Sequence, residues 1–212
     1  AARLDKNAVV KVYSQTAPVY DLWGALTETR ARKRALALAN VRSGETVLEV
    51  AVGTGLTFRE LLKVNPDGLT VGVDLTPAML EKARAKAGEF NAHRYQLAVG
   101  DAYDLQFPDQ HFDVLMNNYM FDLLPEADFS RVLAEFKRVL KPDGRLVLVN
   151  MTRGERFYER FWESVYHLNP RLLGGCRGVL LSDALQKADF SVVQRETMSQ
   201  FGFPSEVIMA RV

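Results

Sequence analysis

Short apolar runs alternate with segments of helical periodicity along most of the chain. The clearest helical segment covers residues 126–140, where apolar side chains recur every three or four positions. Sustained alternation of strand and helix predicts a parallel sheet, because parallel neighbours need a helical crossover. The apolar runs that predict strands are residues 47–52, 71–74, 94–99, 112–118 and 146–149.

A glycine-containing loop follows the first apolar run. Gly53 and Gly55 lack a Cβ, so the backbone can turn sharply there and let a ligand lie against its amides. The second run ends in Asp74, and the carboxyl ends of neighbouring parallel strands meet at one edge of a sheet. A carboxylate in this position can accept hydrogen bonds from both hydroxyls of a ribose. The two runs therefore predict an adenosine site.

The glycine spacing distinguishes two classes of adenosine ligand. A dinucleotide fold requires G-x-G-x-x-G, whereas Gly55 is followed by Leu-Thr-Phe, which disfavours NAD. The run EVAVGTG at residues 49–55 resembles the E/D-x-G-x-G-x-G loop of class I S-adenosylmethionine (SAM) dependent methyltransferases, with Ala51 in place of the first glycine. An alanine methyl there leaves less room for the methionine part of SAM. Taken alone, the loop is also compatible with an ordinary strand-to-helix turn.

Further ligand positions are expected where later strands end. Asp101 can accept a hydrogen bond from the adenine amino group, or it can simply form a turn after Gly100. Met79 or Leu80 can lie against an adenine face, and Asn118 can hold the amino-acid part of SAM or a polar group of the substrate. The predicted cofactor contacts are Glu49, Ala51, Gly53, Gly55, Asp74, Leu75, Met79, Asp101, Ala102 and Asn118.

Several segments in family order resemble class I methyltransferases beyond the glycine loop. They are TPAMLEKAR after Asp74, GDAYDLQFPDQHFDVL, and LAEFKRVLKPDGRLVLVN. Within that superfamily, FPDQHFDVL and KPDGRLVLVN resemble the ubiquinone/menaquinone C-methyltransferases. The segment YSQTAPVYDLWGAL is similar to the N-terminus of bacterial phospholipid N-methyltransferases, so the subfamily stays open.

The resemblance implies an α/β fold, a Rossmann-like three-layer sandwich. Residues 191–197 and 206–212 predict two final strands, which fit the sixth strand and the antiparallel seventh of methyltransferases. The seven-stranded sheet is then mostly parallel, with an antiparallel last strand. The length of 212 residues predicts one domain. Within it we expect an N-terminal helical lid at residues 1–40 and a substrate-wall insertion at residues 152–180.

Charge and cysteine content give no indication of nucleic-acid binding, internal disulfides or a metal site. The net charge of +1 gives no global field for nucleic acid, and the basic residues between positions 30 and 34 are typical of a solvated helix face. One cysteine, Cys176, excludes an internal disulfide, and no motif indicates a metal. The first residues are polar rather than signal-like and no apolar run reaches membrane-spanning length, so a cytoplasmic protein is expected.

Aromatic side chains are concentrated in two segments that are expected to flank the methyl donor, residues 5–26 and 155–168. They predict a largely apolar pocket and possible peripheral membrane contact, although packing on the sheet is the alternative for each ring. The predicted substrate contacts are Tyr13, Tyr20, Tyr119, Phe157 and Trp162.

Methyl transfer from a sulfonium mainly requires alignment and exclusion of water, so few catalytic side chains are expected. His93 and His111 precede strands at the end opposite the site, and His167, on the aromatic stripe, is not favoured as a base. The catalytic residue is therefore left unassigned. The expected acceptor is a hydrophobic or lipid-like small molecule, either a quinol ring or an amine head group. The alternatives are an RNA methyltransferase, whose basic cluster would face the cofactor opening, and an inactive SAM-binding module.

Overall fold

The computed structural model describes residues 21–22, 24–152 and 177–212. Its strands are β1 (Thr46–Val50), β2 (Leu69–Asp74), β3 (Tyr95–Val99), β4 (Phe112–Asn118), β5 (Leu140–Met151), β6 (Ser191–Gln200) and β7 (Phe203–Arg211). Its α-helices are α1 (Thr29–Ala39), α2 (Leu56–Val64), α3 (Pro77–Ala87), α4 (Phe129–Val139) and α5 (Ser182–Lys187).

The strands form one seven-stranded sheet in the order β3-β2-β1-β4-β5-β7-β6. The first five strands pair in parallel, whereas β7 runs antiparallel to both β5 and β6. Phe201 and Gly202 both have positive φ in the turn from β6 to β7, which is typical of a tight hairpin. The predicted α/β fold, with its mostly parallel sheet and antiparallel last strand, is confirmed.

Successive residues of a strand point to opposite faces of the sheet. Both faces of the central strands carry apolar side chains, and helices bury them. Val47 contributes to a buried cluster with α1 and α2, whereas its neighbour Leu48 contributes to a cluster with α4 and α5. On α4, Val132, Leu133 and Phe136 are fully buried. The central strands β1 and β4 are thus packed against apolar side chains on both faces of the sheet, and their carboxyl ends are left for polar chemistry.

The helix α1 belongs to this layered core. Ala31, Ala35 and Ala39 follow at intervals of four and are buried together with residues of β5 and β7. Of the lid predicted at residues 1–40, residues 29–39 instead form a helix of one layer, and residues 1–20 and 23 lie outside the described residues. Small side chains allow this close approach to the sheet, and they give only a weak hydrophobic pattern in the sequence.

The predicted insertion at residues 152–180 begins and ends at the sheet. The amide of Thr152 donates to the carbonyl of Pro204, and the amide of Val179 donates to the carbonyl of Met151. Val179 is fully buried in the main core cluster. Residues 153–176 lie outside the described part of the chain.

Thr76 and Ser182 stand at the starts of α3 and α5 and are residue types that often cap helices. Neither Thr76 nor Ser182 makes a side-chain cap hydrogen bond, and Ser182 is the first residue of α5 rather than its cap. At the start of α3, the carboxylate of Asp74 accepts from the amide of Thr76 instead. The acid at the end of β2 therefore gives a hydrogen-bond acceptor to a backbone amide at the start of α3.

Gly55, at the start of α2, allows close packing of α2 on α3. Its φ is 83°, and a Cβ at this position would lie 2.8 Å from the Cα of Ala83 on α3. A contact this short requires the backbone of one helix to move.

We expect Gly55→Ala to lower the free energy of unfolding by about 3 kcal/mol, because left-handed strain adds to overpacking. The matched control is Gly44→Ala, since Gly44 has φ 99° but no atom within 4 Å of the added methyl. In this control the free energy of unfolding should fall by only about 1 kcal/mol, because left-handed strain is the only cost. Urea unfolding measures both, and equal losses would contradict close packing at Gly55.

Candidate active site

A cavity of about 640 Å³ opens at the carboxyl ends of β1, β2 and β4. The loops after β1 to β4 and the first turn of α4 surround it. This edge of a parallel sheet is where ligands bind in open α/β folds. Eight of the predicted cofactor residues line the cavity: Ala51, Gly53, Asp74, Leu75, Met79, Asp101, Ala102 and Asn118.

Both carboxylate oxygens of Asp74 accept hydrogen bonds from backbone amides. One carboxylate oxygen accepts from the amide of Gly53 at 2.8 Å, and the other accepts from the amide of Thr76 at 2.8 Å. Asp74 is 8% exposed, and burial raises its pKa while the backbone hydrogen bonds act in the opposite direction. Because Asp74 also lines the cavity, its carboxylate can accept from the hydroxyls of a ligand.

Ala51 lines the cavity in a backbone conformation that usually needs glycine. Its φ is 59°, in the left-handed region where a Cβ is strained. The amide of the next residue, Val52, donates to the carbonyl of Val73, so the loop is tied to β2 at this point. Ala51 thus has the left-handed conformation that the first glycine of the motif would adopt. Because alanine has a Cβ, this conformation is strained.

Glu49 and Gly55 are the two predicted cofactor residues that do not line the cavity. Gly55 lies against Ala83. Glu49 is 1% exposed, and one of its carboxylate oxygens accepts from the side-chain amide of Asn118 at 3.3 Å. Among the described residues its other oxygen has no hydrogen-bond partner. Burial raises the pKa of Glu49 to about 8, against the opposing effects of Asn118 and Arg32. Glu49 thus lies behind Asn118, one residue away from the cavity.

The side chains around Asp101 form a polar rim. An oxygen of Asp101 accepts from the amide of Tyr103 at 3.2 Å, which is the turn predicted as the alternative role. The Tyr103 hydroxyl donates to Asp128 at 2.9 Å, and the guanidinium of Arg131 lies 5.2 Å from the ring centroid of Tyr103. Because Asp101 also lines the cavity, turn formation does not remove it from the site.

Sequence reasoning missed Tyr103, Asp128 and Arg131. The contact between Tyr103 and Asp128 spans 25 residues and joins the loop after β3 to the start of α4. Neither residue carries a local motif. The one available signal was the position of Tyr103, two residues beyond the predicted ligand Asp101.

The loop after β4 supplies the apolar part of the cavity. Met120, Leu123, Leu124 and Pro125 line it there. Tyr119 also lines it, but its hydroxyl shares a 2.7 Å hydrogen bond with the hydroxyl of Ser205 on β7, and burial raises its pKa well above the ordinary value. The Tyr119 hydroxyl is therefore already engaged within the protein, and the aliphatic side chains of this loop, missed by sequence reasoning, form the apolar surface.

Four predicted substrate contacts, Tyr13, Tyr20, Phe157 and Trp162, lie outside the described residues, as does His167. They stay predictions.

Two arginines of the basic cluster at residues 30–34 interact with different carboxylates of the same chain. Arg32 donates to the carbonyl of Gly24 and lies 3.8 Å from the carboxylate of Glu28. Arg34 donates both Nε and Nη2 to the carboxylate of Glu196 on β6. Two of the four cations are thus occupied by carboxylates of the same chain.

The geometry agrees with the comparisons to known proteins. Residues 47–144 match the family described as "Methyltransferase domain". The demethylmenaquinone methyltransferase of Lactobacillus johnsonii is 30% identical over 97% of this chain and 88% of that protein. The chain belongs to the class I SAM-dependent methyltransferases. The demethylmenaquinone methyltransferase of Listeria welshimeri is 31% identical to this methyltransferase over 70% of the chain, a match that spans 64% of the Listeria protein.

A solved SAM-dependent methyltransferase from Aquifex aeolicus shares the fold of this methyltransferase. The TM-score is 0.67 at 18% identity, with 99% of this chain and 100% of that one covered. Within the described ranges, no helix of this methyltransferase has the length and apolarity to span a bilayer. The same ranges hold no group of three His, Cys, Asp or Glu side chains arranged as metal ligands.

We expect Ala51→Gly to raise the free energy of unfolding by about 1 kcal/mol, because relief of left-handed strain exceeds the entropy cost of glycine. Ala102→Gly is the matched control, since Ala102 lines the same cavity and is not among the residues with positive φ. The control should lose about 1 kcal/mol. Thermal and urea unfolding measure both, and a loss at both positions would contradict strain at Ala51.

Stability should depend on pH through Glu49. In the folded methyltransferase Glu49 keeps its proton up to about pH 8, whereas the unfolded chain loses it near the ordinary value of 4.5. The free energy of unfolding therefore falls as pH rises from about 5 to about 8. Glu49→Gln stays neutral and should reduce that decline by up to about 1.4 kcal/mol per pH unit.

Glu28, whose pKa burial raises to about 7, should keep part of the decline in the Glu49→Gln variant. The control is Glu60→Gln, since the Glu60 side chain is about half exposed and pairs with Lys63 on the surface. Urea unfolding across this pH range gives the slopes. Identical slopes for wild type and Glu49→Gln would show that Glu49 does not hold the proton.

Proposed function

We propose that this methyltransferase transfers the methyl group of SAM to a hydrophobic or lipid-like small molecule, at a quinol ring or an amine head group. The observation that carries the proposal is the apolar wall of Met120, Leu123, Leu124 and Pro125 in the same cavity as Asp74. The demethylmenaquinone methyltransferase of Lactobacillus johnsonii supports an acceptor of the quinol class.

The proposed cofactor placement follows the polar groups of the cavity. Asp74 would accept from the ribose hydroxyls through its carboxylate oxygens. Asp101 would accept from the adenine amino group, and Met79 and Ala102 would contact the adenine ring. Asn118 would hold the amino-acid part of SAM, and the bound cofactor would supply the methyl group.

The acceptor then approaches from the loop after β4. An apolar wall excludes water from the displacement, in which the nucleophile, the methyl carbon and the sulfur must align. Because the sulfonium is already an activated donor, binding and alignment account for most of the catalysis that this chain must provide. A quinol also needs to lose a proton, and we assign no residue to that step.

The alternative of an RNA methyltransferase finds less support. It depends on a basic surface at residues 30–34, where Arg32 and Arg34 are paired with Glu28 and Glu196. Phosphate contacts would have to displace these carboxylates.

Asp74→Ala should weaken binding of S-adenosylhomocysteine (SAH) on the order of 100-fold, since a charged acceptor of two ribose hydroxyls is lost. Asp67→Ala is the control, because Asp67 pairs with Ser43 near the opposite end of β2. Calorimetry with purified protein gives both affinities. Tight binding of NAD without binding of SAH would refute the cofactor placement.

The acceptor class is tested by transfer of labelled methyl from SAM to separate lipid, quinone and RNA fractions. Wild type should label lipid or quinone, and Asp74→Ala, at the same protein concentration, supplies the blank. Label confined to RNA would refute the proposed acceptor.

A further inference from the structure

Asp21, which precedes α1 in the chain, contacts the glycine loop through its carboxylate. One of its carboxylate oxygens accepts from the hydroxyl of Thr54 at 2.5 Å, and the other lies 2.9 Å from the ammonium of Lys86. The same ammonium donates to the backbone carbonyl of Thr54 at 2.9 Å. Asp21, Thr54 and Lys86 are 32 or more residues apart in sequence and form a closed set of contacts, the loop clamp.

The glycine loop depends on contacts of this kind for its shape. Thr54 lies between Gly53 at φ 58° and Gly55 at φ 83°, so the local backbone has access to many conformations. Asp74 fixes the amide of Gly53, and the loop clamp fixes both the side chain and the carbonyl of Thr54. Thr54 is only 2% exposed, which leaves little room for an alternative arrangement.

The charges of the loop clamp favour its closed form. Burial raises the pKa of Asp21, but the Thr54 hydroxyl and the Lys86 ammonium outweigh it, so the pKa of this carboxyl lies below its usual value. Asp21 is therefore ionised at neutral pH. Lys82, one turn earlier on α3, adds a longer-range attraction to Asp21.

We propose that Asp21 and Lys86 are positioning residues for SAM, which act through Thr54 on the loop that receives the cofactor. The inference rests on the proposed placement of SAM against this loop. A loop already held in its binding shape loses less conformational entropy when the cofactor binds, so the loop clamp raises cofactor affinity. It also couples the side chain of Asp21 to cofactor occupancy, because such coupling is reciprocal.

The test uses Asp21→Asn and Lys86→Met, with Arg84→Met as the matched control on the same helix, because Arg84 is exposed and donates to the carbonyl of Leu97. Each clamp variant should bind SAH about tenfold more weakly, the loss expected for a hydrogen bond to a charged group. The KM for SAM should rise by more than kcat falls. The double variant should lose about as much affinity as either single variant, because one unit is being removed.

Two further variants separate positioning from a structural role. Lys86→Arg keeps the cation and should restore binding to within about threefold of wild type. Arg84→Met should bind SAH like wild type, because Arg84 donates to the carbonyl of Leu97 and not to the loop clamp. A fall in melting temperature without a change in SAH affinity, measured well below that temperature, would overturn the positioning role.

Hydrogen exchange on the wild-type protein gives a test that does not depend on the variants folding. SAH should slow exchange both in the glycine loop and in the peptide that contains Asp21. If SAH protects the loop but not Asp21, or if the clamp variants bind like wild type, the loop clamp is refuted while the cofactor site stands. If wild type fails to bind SAH at all, the cofactor placement and the loop clamp are both refuted.

Discussion

The carboxylate of Asp74 joins the three elements from which the cavity is built. Its oxygens accept from the amide of Gly53 in the loop after β1 and from the amide of Thr76 before α3, while Asp74 itself ends β2. A largely buried carboxylate is stable only with such donors. The acid therefore fixes the glycine loop in one place, and the loop in turn fixes where an adenosine can lie. The parallel sheet is needed because it brings these strand ends together.

Polar and apolar chemistry are separated within the cavity. Asp74 and Asp101 lie where β2 and β3 end, and Met120, Leu123 and Leu124 lie in the loop after β4. Behind Asn118, Glu49 holds a buried carboxyl whose pKa is raised to about 8. The positive charge of a SAM sulfonium would favour the ionised form of the Glu49 carboxyl, whereas SAH, which has an uncharged sulfur, would not. This arrangement suits a reaction that begins with a charged donor and an apolar acceptor.

Local patterns were sufficient to predict the strand ends, and these strand ends place Asp74, Asp101 and Asn118 at the cavity. Contacts between distant segments were not predictable in this way. The engagement of the Tyr119 hydroxyl by Ser205 depends on how β7 inserts into the sheet, and the bond from Tyr103 to Asp128 depends on where α4 begins. Gly55 was assigned to the cofactor by its motif, but its surroundings are decided by Ala83 of α3, 28 positions later in the sequence.

A crystal structure of the SAH complex would test the central role of Asp74 most directly. The ribose hydroxyls are expected on the Asp74 carboxylate, with the hydrogen bonds from the amides of Gly53 and Thr76 retained and the adenine amino group at Asp101. SAH bound away from this strand end, or a ribose with Asp74 turned from it, would contradict the account.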